Sequence, residues 1–266
     1  MAPPRDLDAF DPPESPDGPP LDLLAIGAHP DDVEISCGGT IAAAAAEGLR
    51  AGILDLTRGE SATNGTPEIR AAEAAEAARL LGACGRWNAG LPDGALHAHD
   101  PEQVRRAVLW LRALRPDVVV VHFPRDRHPD HVAASELIDR ASYLAGLRRF
   151  ESVGNAAPFR PRARYHYASR VGFAPSFVVD VTAHWEAKRA AILAHGSQVS
   201  RTSAEARPTP LNREGFLDFV ESRARHYGGM IGVTYGEPFH ATEPIGVRAL
   251  AAFLRTPQPA PGSFTG

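Results

Sequence analysis

The stretch that decides the fold is Ala28-His29-Pro30-Asp31-Asp32-Val33-Glu34. It follows an apolar run at residues 21–27, which predicts a buried strand, and it precedes an alanine-rich segment at 40–47, which predicts a helix. One histidine and three carboxylates therefore lie in the turn at the carboxyl end of the first strand. In an open α/β sheet, ligands bind at that end of the strands. Charged groups beside a buried strand are costly unless they are paired, and a divalent metal ion would pair them.

Strands and helices alternate regularly along the first two-thirds of the chain. The sequence predicts strands at 21–28, 50–56, 86–91 and 117–121, and helices at 39–48, 67–81, 101–114 and 131–147. Apolar strands that alternate with helices predict an α/β three-layer sandwich, in which helices cover both faces of a mostly parallel sheet. The last third is less regular. There we expect strands at 164–168 and 177–181, helices at 185–195 and 213–227, and a turn-rich stretch from Gly228 onward.

Composition limits the classes of function. The chain has 266 residues, of which 44% are hydrophobic and 23% charged, as in an ordinary globular protein. A formal net charge of −4 gives no reason to expect nucleic acid or an anionic membrane as partner. No apolar run approaches the roughly 20 residues that span a bilayer, and the N-terminus lacks a secretion signal. We therefore expect a cytoplasmic protein.

Both ends of the chain differ in composition from the rest. Residues 1–20 contain seven prolines and five acidic residues, which predicts a disordered leader. Residues 256–266 have a similar composition and predict a flexible tail. Since no repeat or linker divides the remainder, we expect a single domain over residues 21–255.

A second charged cluster, His122-Phe123-Pro124-Arg125-Asp126-Arg127-His128-Pro129-Asp130-His131, follows the predicted strand at 117–121. In the common strand order 3-2-1-4-5, strands one and four are neighbours, so we expect the two clusters to face each other across one crevice. Either cluster alone is more typical of a turn with a helix cap, and Asp130 could cap the helix that follows it. Two such clusters at adjacent strand ends favour a metal site.

The spacing of the donors indicates the kind of metal site. His29 and Asp32 can bind one ion from the same turn. Either His128 or His131 would complete a set of two histidines and one carboxylate, which leaves positions open for water and substrate, as catalytic zinc requires. The same donors also suit iron(II). Zinc is favoured because the remaining groups, Asp31 and one histidine, fit acid–base roles in hydrolysis.

The two clusters together, Ala28-His29-Pro30-Asp31-Asp32 and His128-Pro129-Asp130-His131, resemble the motifs of the PIG-L/LmbE family of zinc-dependent N-acetyl-sugar deacetylases. Further stretches resemble the branch of that family that deacetylates N-acetylglucosaminyl malate in bacillithiol biosynthesis. These stretches are residues 54–60, 64–70, 90–93, 126–131 and 176–180. The resemblance extends from about Leu21 to Leu250.

The resemblance implies a role for each residue of the clusters. It implies three ligands for one zinc ion per subunit: His29, Asp32 and His131. It implies Asp31 as the general base and His128 as the partner of the oxyanion and the leaving amine, with Asp130 orienting His128. It also implies a Rossmann-like fold and a hexameric assembly.

The substrate of that branch carries a malate with two carboxylates, and guanidinium groups bind carboxylates well. We therefore expect Arg70, Arg127 and Arg58 to contact the substrate. The alternative for each is a surface salt bridge. Tyr235 matches a family position near the oxyanion, and its alternative is a packed aromatic side chain. Residues 196–210 differ from the family pattern and are expected to form a loop near the active site.

The leading hypothesis is zinc-dependent hydrolysis of the N-acetyl group of an N-acetylglucosamine conjugate, in the first place N-acetylglucosaminyl malate. Other amide substrates remain open: a mycothiol-type inositol conjugate, a thiol-conjugate amide or a chitooligosaccharide. A sugar-binding module without catalysis would lack a base or a ligand, and neither is missing. A nucleotide-binding Rossmann protein is excluded because acidic residues, and no G-x-G-x-x-G, follow the first strand.

Overall fold

The computed structural model describes residues 19–150, 157–200 and 206–247. The predicted leader, apart from its last two residues, and the predicted tail lie outside the described residues. One seven-stranded sheet has the strand order β3-β2-β1-β4-β5-β7-β6. Its strands are β1 (Leu23–Gly27), β2 (Ala51–Thr57), β3 (Gly85–Leu91), β4 (Val118–His122), β5 (Ala163–Tyr167), β6 (Phe177–Asp180) and β7 (Gly236–Ala241). The first five strands are parallel, whereas β7 is antiparallel to both of its neighbours.

Helices cover both faces of the sheet. In the described part of the chain they are α1 (Asp32–Ala46), α2 (Pro67–Leu80), α3 (Pro101–Leu114), α4 (Pro129–Ala145), α5 (Trp185–Ala194), α6 (Gly196–Val199) and α7 (Phe216–Met230). Helices α3 and α4 contribute to one hydrophobic cluster against the sheet, and α1, α2 and α5 contribute to a second. The predicted three-layer sandwich is therefore confirmed. None of the helices described has the length and hydrophobicity that crossing a membrane requires.

Two helices begin where their capping residues predict. The side chain of Thr66 accepts a hydrogen bond from the backbone N–H of Ile69 at 3.3 Å, one residue before Pro67 opens α2. Asp100 accepts from the N–H of Gln103 at 2.9 Å, one residue before α3. A side-chain oxygen at this position satisfies a helix N–H that has no partner inside the helix, so these boundaries are set locally.

Two elements differ from the prediction. Helix α1 begins at Asp32, seven residues before the predicted start, because it continues through a break at Cys37, where φ is −136°. The acidic residues of the first cluster therefore form its first turn, where the helix dipole favours negative charge. The second difference is β7, which lies in the stretch predicted to be turn-rich. Gly236, Pro238 and His240 give this strand no apolar alternation, so its conformation comes from its place between β5 and β6.

Glu237 connects β7, the last described strand, to α1. Its carboxylate accepts hydrogen bonds from the backbone N–H of Gly39 at 2.9 Å and of Thr40 at 2.7 Å, and from Thr40 Oγ1 at 2.6 Å. Lys188 Nζ of α5 lies 2.5 Å from the same carboxylate, and both side chains of this pair are buried. Glu237 thus caps the second segment of α1, which starts after the break at Cys37.

Strands β1 and β4 are hydrogen-bonded neighbours, with Leu23 opposite Val118 and Ala25 opposite Val120. The predicted adjacency of strands one and four is confirmed. Because the two strands are parallel, their carboxyl ends meet at the same edge of the sheet, and both charged clusters follow those ends.

Candidate active site

A cavity of about 420 Å³ opens at this edge of the sheet. Its charged lining includes residues of both predicted clusters: His29, Asp31 and Asp32 from the first, His128 and His131 from the second. The structure therefore brings these five predicted residues to one site. Asp130 lies directly behind them and is buried.

His29 stands among three carboxylates. Its Nδ1 lies 3.3 Å from Asp32 Oδ2, and its Nε2 lies 3.1 Å from Asp93 Oδ1 and 3.3 Å from Asp130 Oδ2. Burial alone would lower the pKa of the imidazole, but its hydrogen bonds with Asp130, Asp32 and Asp93 raise that pKa well above the usual value. The ring is thus surrounded by negative charge on both of its nitrogens.

Asp32 also contacts the second cluster. Its Oδ1 lies 3.1 Å from His131 Nε2, while His131 Nδ1 lies 3.2 Å from Asp126 Oδ1. Burial opposes the charged form of His131, but Asp32 and Asp126 outweigh it and raise the pKa of His131 to about 9. Burial likewise opposes the ionised Asp32 carboxylate, yet His131 and His122 hold its pKa well below the usual value. Asp32 therefore contacts both of the other predicted ligands, His29 and His131.

The surroundings of His122 indicate that this site suits a cation. Its Nε2 accepts a hydrogen bond from the backbone N–H of Ala28 at 3.0 Å, so that nitrogen carries no proton, and its Nδ1 lies 3.0 Å from Ser169 Oγ. Burial, and then the positive charge of His131, lowers the pKa of His122 to about 4. The lone pair of Nε2 therefore also faces Asp32 Oδ2, at 3.2 Å. Two electron-rich atoms in contact are unfavourable, and a cation beside them would relieve the contact.

Three overlapping groups of potential metal donors meet at the site, each with atoms within 4.8 Å of one another: His29, His128 and His131; Asp32, His122 and His131; and His29, Asp93 and Asp130. Imidazole and carboxylate donors of this kind bind zinc and iron(II). The residues present thus fit a divalent metal ion. Asp93 lies in one of the family-like stretches, 90–93, but the sequence analysis gave it no role.

Asp31 and Arg70 form a buried pair in the wall of the cavity. Arg70 Nη2 donates to Asp31 Oδ2 at 3.2 Å and to the carbonyl of Pro30 at 2.5 Å, and Nη1 donates to the carbonyl of Gly59 at 3.0 Å. Burial raises the pKa of Asp31 to about 6, against the opposing charge of Arg70. Asp31 has φ of 124°, which is rare for a residue with a side chain. Nη1 and Nη2 of Arg70 thus bind the chain itself and fix the Asp31 turn.

A buried network of charged side chains holds the first turn of α1 in place. Arg86 contacts Asp55, with Nε to Oδ2 at 2.8 Å, and also pairs with Glu34. His195 Nε2 lies 3.3 Å from Glu34 Oε1. Burial opposes the charge of Glu34, but Arg86 and His195 hold the pKa of that carboxyl below its usual value. Glu34, which had no role in the sequence analysis, therefore anchors the first turn of α1 to β2 and β3.

The geometry of Asp130 differs from the predicted one. Its carboxylate accepts hydrogen bonds from the backbone N–H of Gly94 at 2.7 Å and of Leu96 at 3.3 Å, and contacts His29 rather than the His128 ring. The backbone N–H of Asp130 donates to His128 Nδ1 at 3.2 Å. The neutral His128 ring therefore carries its proton on Nε2. Burial and the positive charges of His29 and His131 lower the pKa of His128.

The remaining predicted substrate contacts do not line this cavity. Arg58 pairs with Glu68, at 3.0 Å, and lines a separate cleft. Arg127 is exposed. Tyr235 stacks on Trp185 with ring centroids 4.3 Å apart. Of the four predicted substrate-binding residues, Arg70 reaches the cavity.

The lining also includes residues that the sequence analysis missed. Arg170 follows β5, and a wall made by residues 209–219 contributes Leu211, Phe216 and Phe219. Gln198, Thr209 and Pro210 of the segment 196–210 line the cavity as well. Gly196–Val199 forms the short helix α6 rather than a loop, and residues 201–205 lie outside the described residues. Arg170 lies in no motif. The only feature of the sequence that could have indicated its place at the site is that it follows a predicted strand of the sheet.

Comparison with known proteins shows similarity to a family of deacetylases. The family model PIG-L: GlcNAc-PI de-N-acetylase matches residues 24–142. A 1D-myo-inositol 2-acetamido-2-deoxy-alpha-D-glucopyranoside deacetylase from Saccharomonospora viridis is 31% identical, over 67% of this chain and 85% of its own length.

Solved structures share the fold over most of the chain. A conserved protein of Thermus thermophilus is 44% identical with a TM-score of 0.77, covering 85% of this chain and 97% of its own. The N,N'-diacetylchitobiose deacetylase of Pyrococcus horikoshii is 27% identical with a TM-score of 0.70, covering 82% of each chain. The chain therefore belongs to the PIG-L family and is an amidohydrolase of the deacetylase type.

Proposed function

We propose that this enzyme hydrolyses the N-acetyl amide of an N-acetylglucosamine conjugate, giving acetate and a free amine, with zinc held by His29, Asp32 and His131. The observation that carries the proposal is the contact of the two clusters through Asp32, at 3.3 Å from His29 Nδ1 and 3.1 Å from His131 Nε2. The names of two relatives, an inositol glucosaminide deacetylase and a diacetylchitobiose deacetylase, describe the same type of reaction.

Zinc at these residues would supply Lewis-acid polarisation of the amide carbonyl. Asp31 acts as the general base. Its Oδ2 is held by Arg70 at 3.2 Å, which leaves Oδ1 to take the proton of the attacking water. Burial raises the pKa of Asp31 to about 6, which is still below neutral pH, so the carboxylate is ionised and is a stronger base than that of an exposed aspartate. Arg70 is therefore a positioning residue for the base.

His128 stabilises the charge that develops on the amide oxygen. With Nδ1 engaged by the backbone N–H of Asp130, its Nε2–H is the donor available to the oxyanion. Asp31 then returns its proton to the nitrogen as the C–N bond breaks, so that acetic acid and a neutral amine leave; the acid then loses its proton to solvent and becomes acetate. In this scheme His128 acts as a neutral donor.

Two identities of the conjugate have specific support. N-acetylglucosaminyl malate, the bacillithiol precursor, is favoured by the five family-like stretches of sequence. The inositol conjugate is favoured by the Saccharomonospora relative. Arg58 and Arg127, which were predicted to bind the malate carboxylates, lie outside the cavity lining.

The test measures acetate release from N-acetylglucosaminyl malate, the inositol conjugate and diacetylchitobiose, using enzyme of known zinc and iron content. Release from at least one substrate, lost in Asp31→Asn with its metal content retained, supports the proposal. A zinc-loaded enzyme that releases acetate from none of them would overturn it. A higher kcat/KM for the inositol conjugate than for the malate conjugate would refute the malate assignment. The hexamer and the cytoplasmic location remain predictions, which light scattering and cell fractionation would test.

A further inference from the structure

The cavity has a second half that the acetamide chemistry does not use. Arg170, in the loop after β5, lies on its wall together with an apolar surface formed by Ile35 of α1 and by Leu211, Phe216 and Phe219. Ser61, Thr63 and Gln198 also line the cavity, and their polar side chains suit the hydroxyl groups of a sugar. Arg170 and the apolar surface would therefore contact the aglycone, which is the part of the conjugate attached to the sugar.

The loop that carries Arg170 is held firmly. Ser169 Oγ lies 3.0 Å from His122 Nδ1, and the carbonyl of Ser169 accepts a hydrogen bond from Arg223. The backbone N–H of Arg170 donates to Asp126 Oδ2 at 3.4 Å. The side chain of Arg170 therefore projects from a fixed point next to the catalytic cluster.

The guanidinium of Arg170 is poorly compensated. Among the described residues no carboxylate lies within ion-pair distance of it, although it lines a cavity and is partly buried. Burial and the nearby positive charges of Arg213 and Arg127 lower the pKa of Arg170 and outweigh the charges of Asp126 and Asp32, which raise it. Arg70, by contrast, is committed to three acceptors of the chain. An unpaired guanidinium at the wall of a substrate cavity is well suited to an anionic ligand.

The apolar surface is the outer side of a hydrophobic cluster. Phe216 is buried in that cluster, while Ile35 and Leu211 are partly buried against it. Phe219 remains 38% exposed, and the Arg223 guanidinium lies 5.8 Å from the centre of its ring. Burial of apolar surface lowers the free energy by about 25 cal/mol per Å². The hydroxyl groups of a polyol would instead lose their hydrogen bonds to water on this surface, which costs free energy.

We propose, building on the deacetylase function above, that the enzyme selects conjugates whose aglycone combines one anionic group with an apolar body. The anion, a carboxylate or a phosphate, binds Arg170, and an aromatic or alkyl group packs on Leu211 and Phe219. Arg170 is thus a residue that determines substrate specificity.

The experiment compares acetate release from α-linked N-acetylglucosaminides that differ in the aglycone alone: methyl, phenyl, 4-carboxyphenyl, 4-phosphonophenyl and inositol. We expect the kcat/KM of at least one charged aryl substrate to exceed that of the phenyl substrate about tenfold, the equivalent of one charge-assisted hydrogen bond. The larger of the two charged values identifies carboxylate or phosphonate as the preferred anion. The phenyl substrate should in turn exceed the methyl and inositol substrates.

Variants then assign the effect to residues. In Arg170→Gln the ratio of charged to phenyl kcat/KM should fall to about one, and Arg170→Lys should restore part of it. Phe219→Ala should remove the preference of phenyl over methyl. Arg148→Gln, which changes an exposed arginine away from the cavity, is the matched control and should keep both ratios. Direct binding of 4-carboxyphenyl glucosaminide, the deacetylated product, should weaken in parallel in Arg170→Gln, as measured by calorimetry.

The possible failures are distinguishable. Equal kcat/KM for charged and phenyl substrates, or a tenfold preference that persists in Arg170→Gln, would overturn the anion site. A best substrate with the inositol aglycone would overturn the apolar site. Acetate release from none of the N-acetylglucosaminides, by enzyme of full zinc content, would instead overturn the deacetylase function itself.

Discussion

Glu237→Gln should destabilise the protein strongly, although Glu237 lies outside the active-site cavity. Its carboxylate is 2% exposed and receives Lys188 Nζ, two backbone N–H groups and a threonine hydroxyl. An amide of the same shape has one acceptor oxygen. If that oxygen faces Gly39 and Lys188, the amide NH₂ faces the donors of Thr40; if it faces Thr40, the NH₂ faces Lys188.

The magnitude follows from these contacts. Removing one partner of a buried ion pair costs about 3–5 kcal/mol, since the other charge is left without compensation. Each buried donor that loses its acceptor costs about 1–3 kcal/mol. We therefore expect Glu237→Gln to lower the free energy of unfolding by about 4 kcal/mol. With a urea m-value of about 3 kcal/mol/M, the midpoint should fall by more than about 1 M.

The assay is urea unfolding followed by circular dichroism, with a chelator present throughout so that metal binding does not contribute. Lys188→Met and the double variant complete a double-mutant cycle, and the double variant should be more stable than Glu237→Gln alone because no unpaired ammonium remains. Glu76→Gln, which removes an exposed pair with Arg79, is the control and should leave the midpoint unchanged. A midpoint shift below about 0.3 M for Glu237→Gln, or strictly additive effects in the cycle, would refute the assigned role of the pair.

Three further predictions concern the active site and the buried charge network that supports it. Asp31→Asn should lower acetate release by about 100-fold or more while the zinc content per chain, measured by mass spectrometry, stays unchanged; retention of a tenth of the activity would contradict its role as base. His131→Ala should lose bound metal under dialysis conditions in which His97→Ala, a change of an exposed histidine, retains it, and equal retention would remove His131 from the ligand set. Arg86→Met should lower the free energy of unfolding by about 3–5 kcal/mol, because two buried carboxylates lose their cation, and a urea midpoint equal to that of the wild type would refute this.

The parts of the structure that sequence reasoning predicts are those decided locally. Strand β4 (Val118–His122) is a run of apolar residues, and the charges that follow it mark the end of the strand. The starts of α2 and α3 follow from a capping side chain and a proline. Parallel topology then places the two clusters together, because the carboxyl ends of adjacent parallel strands share one edge.

The parts that sequence reasoning misses depend on contacts between distant segments. Gly236–Ala241 has no strand pattern of its own and becomes β7 through its neighbours. The family resemblance assigned Arg70 to substrate, but in the folded chain its donors reach Pro30, Gly59 and Asp31. Arg170 lies in no motif at all. Which acceptor a long arginine side chain finds is decided by packing, and one sequence does not contain that information in local form.

The position of β7 has a consequence for how the chain is made. Synthesis runs from the N-terminus, so β5 and β6 emerge before the strand that separates them in the sheet. While residues 168–235 are being translated, β5 exposes unpaired N–H and carbonyl groups, the kind of edge with which other chains pair. Chains that stop before Gly236 should therefore associate with chaperones or aggregate, as partly folded intermediates do. The sheet and the cap of α1 therefore form only after β7 has been synthesised, because this last described strand both pairs with β5 and β6 and carries Glu237.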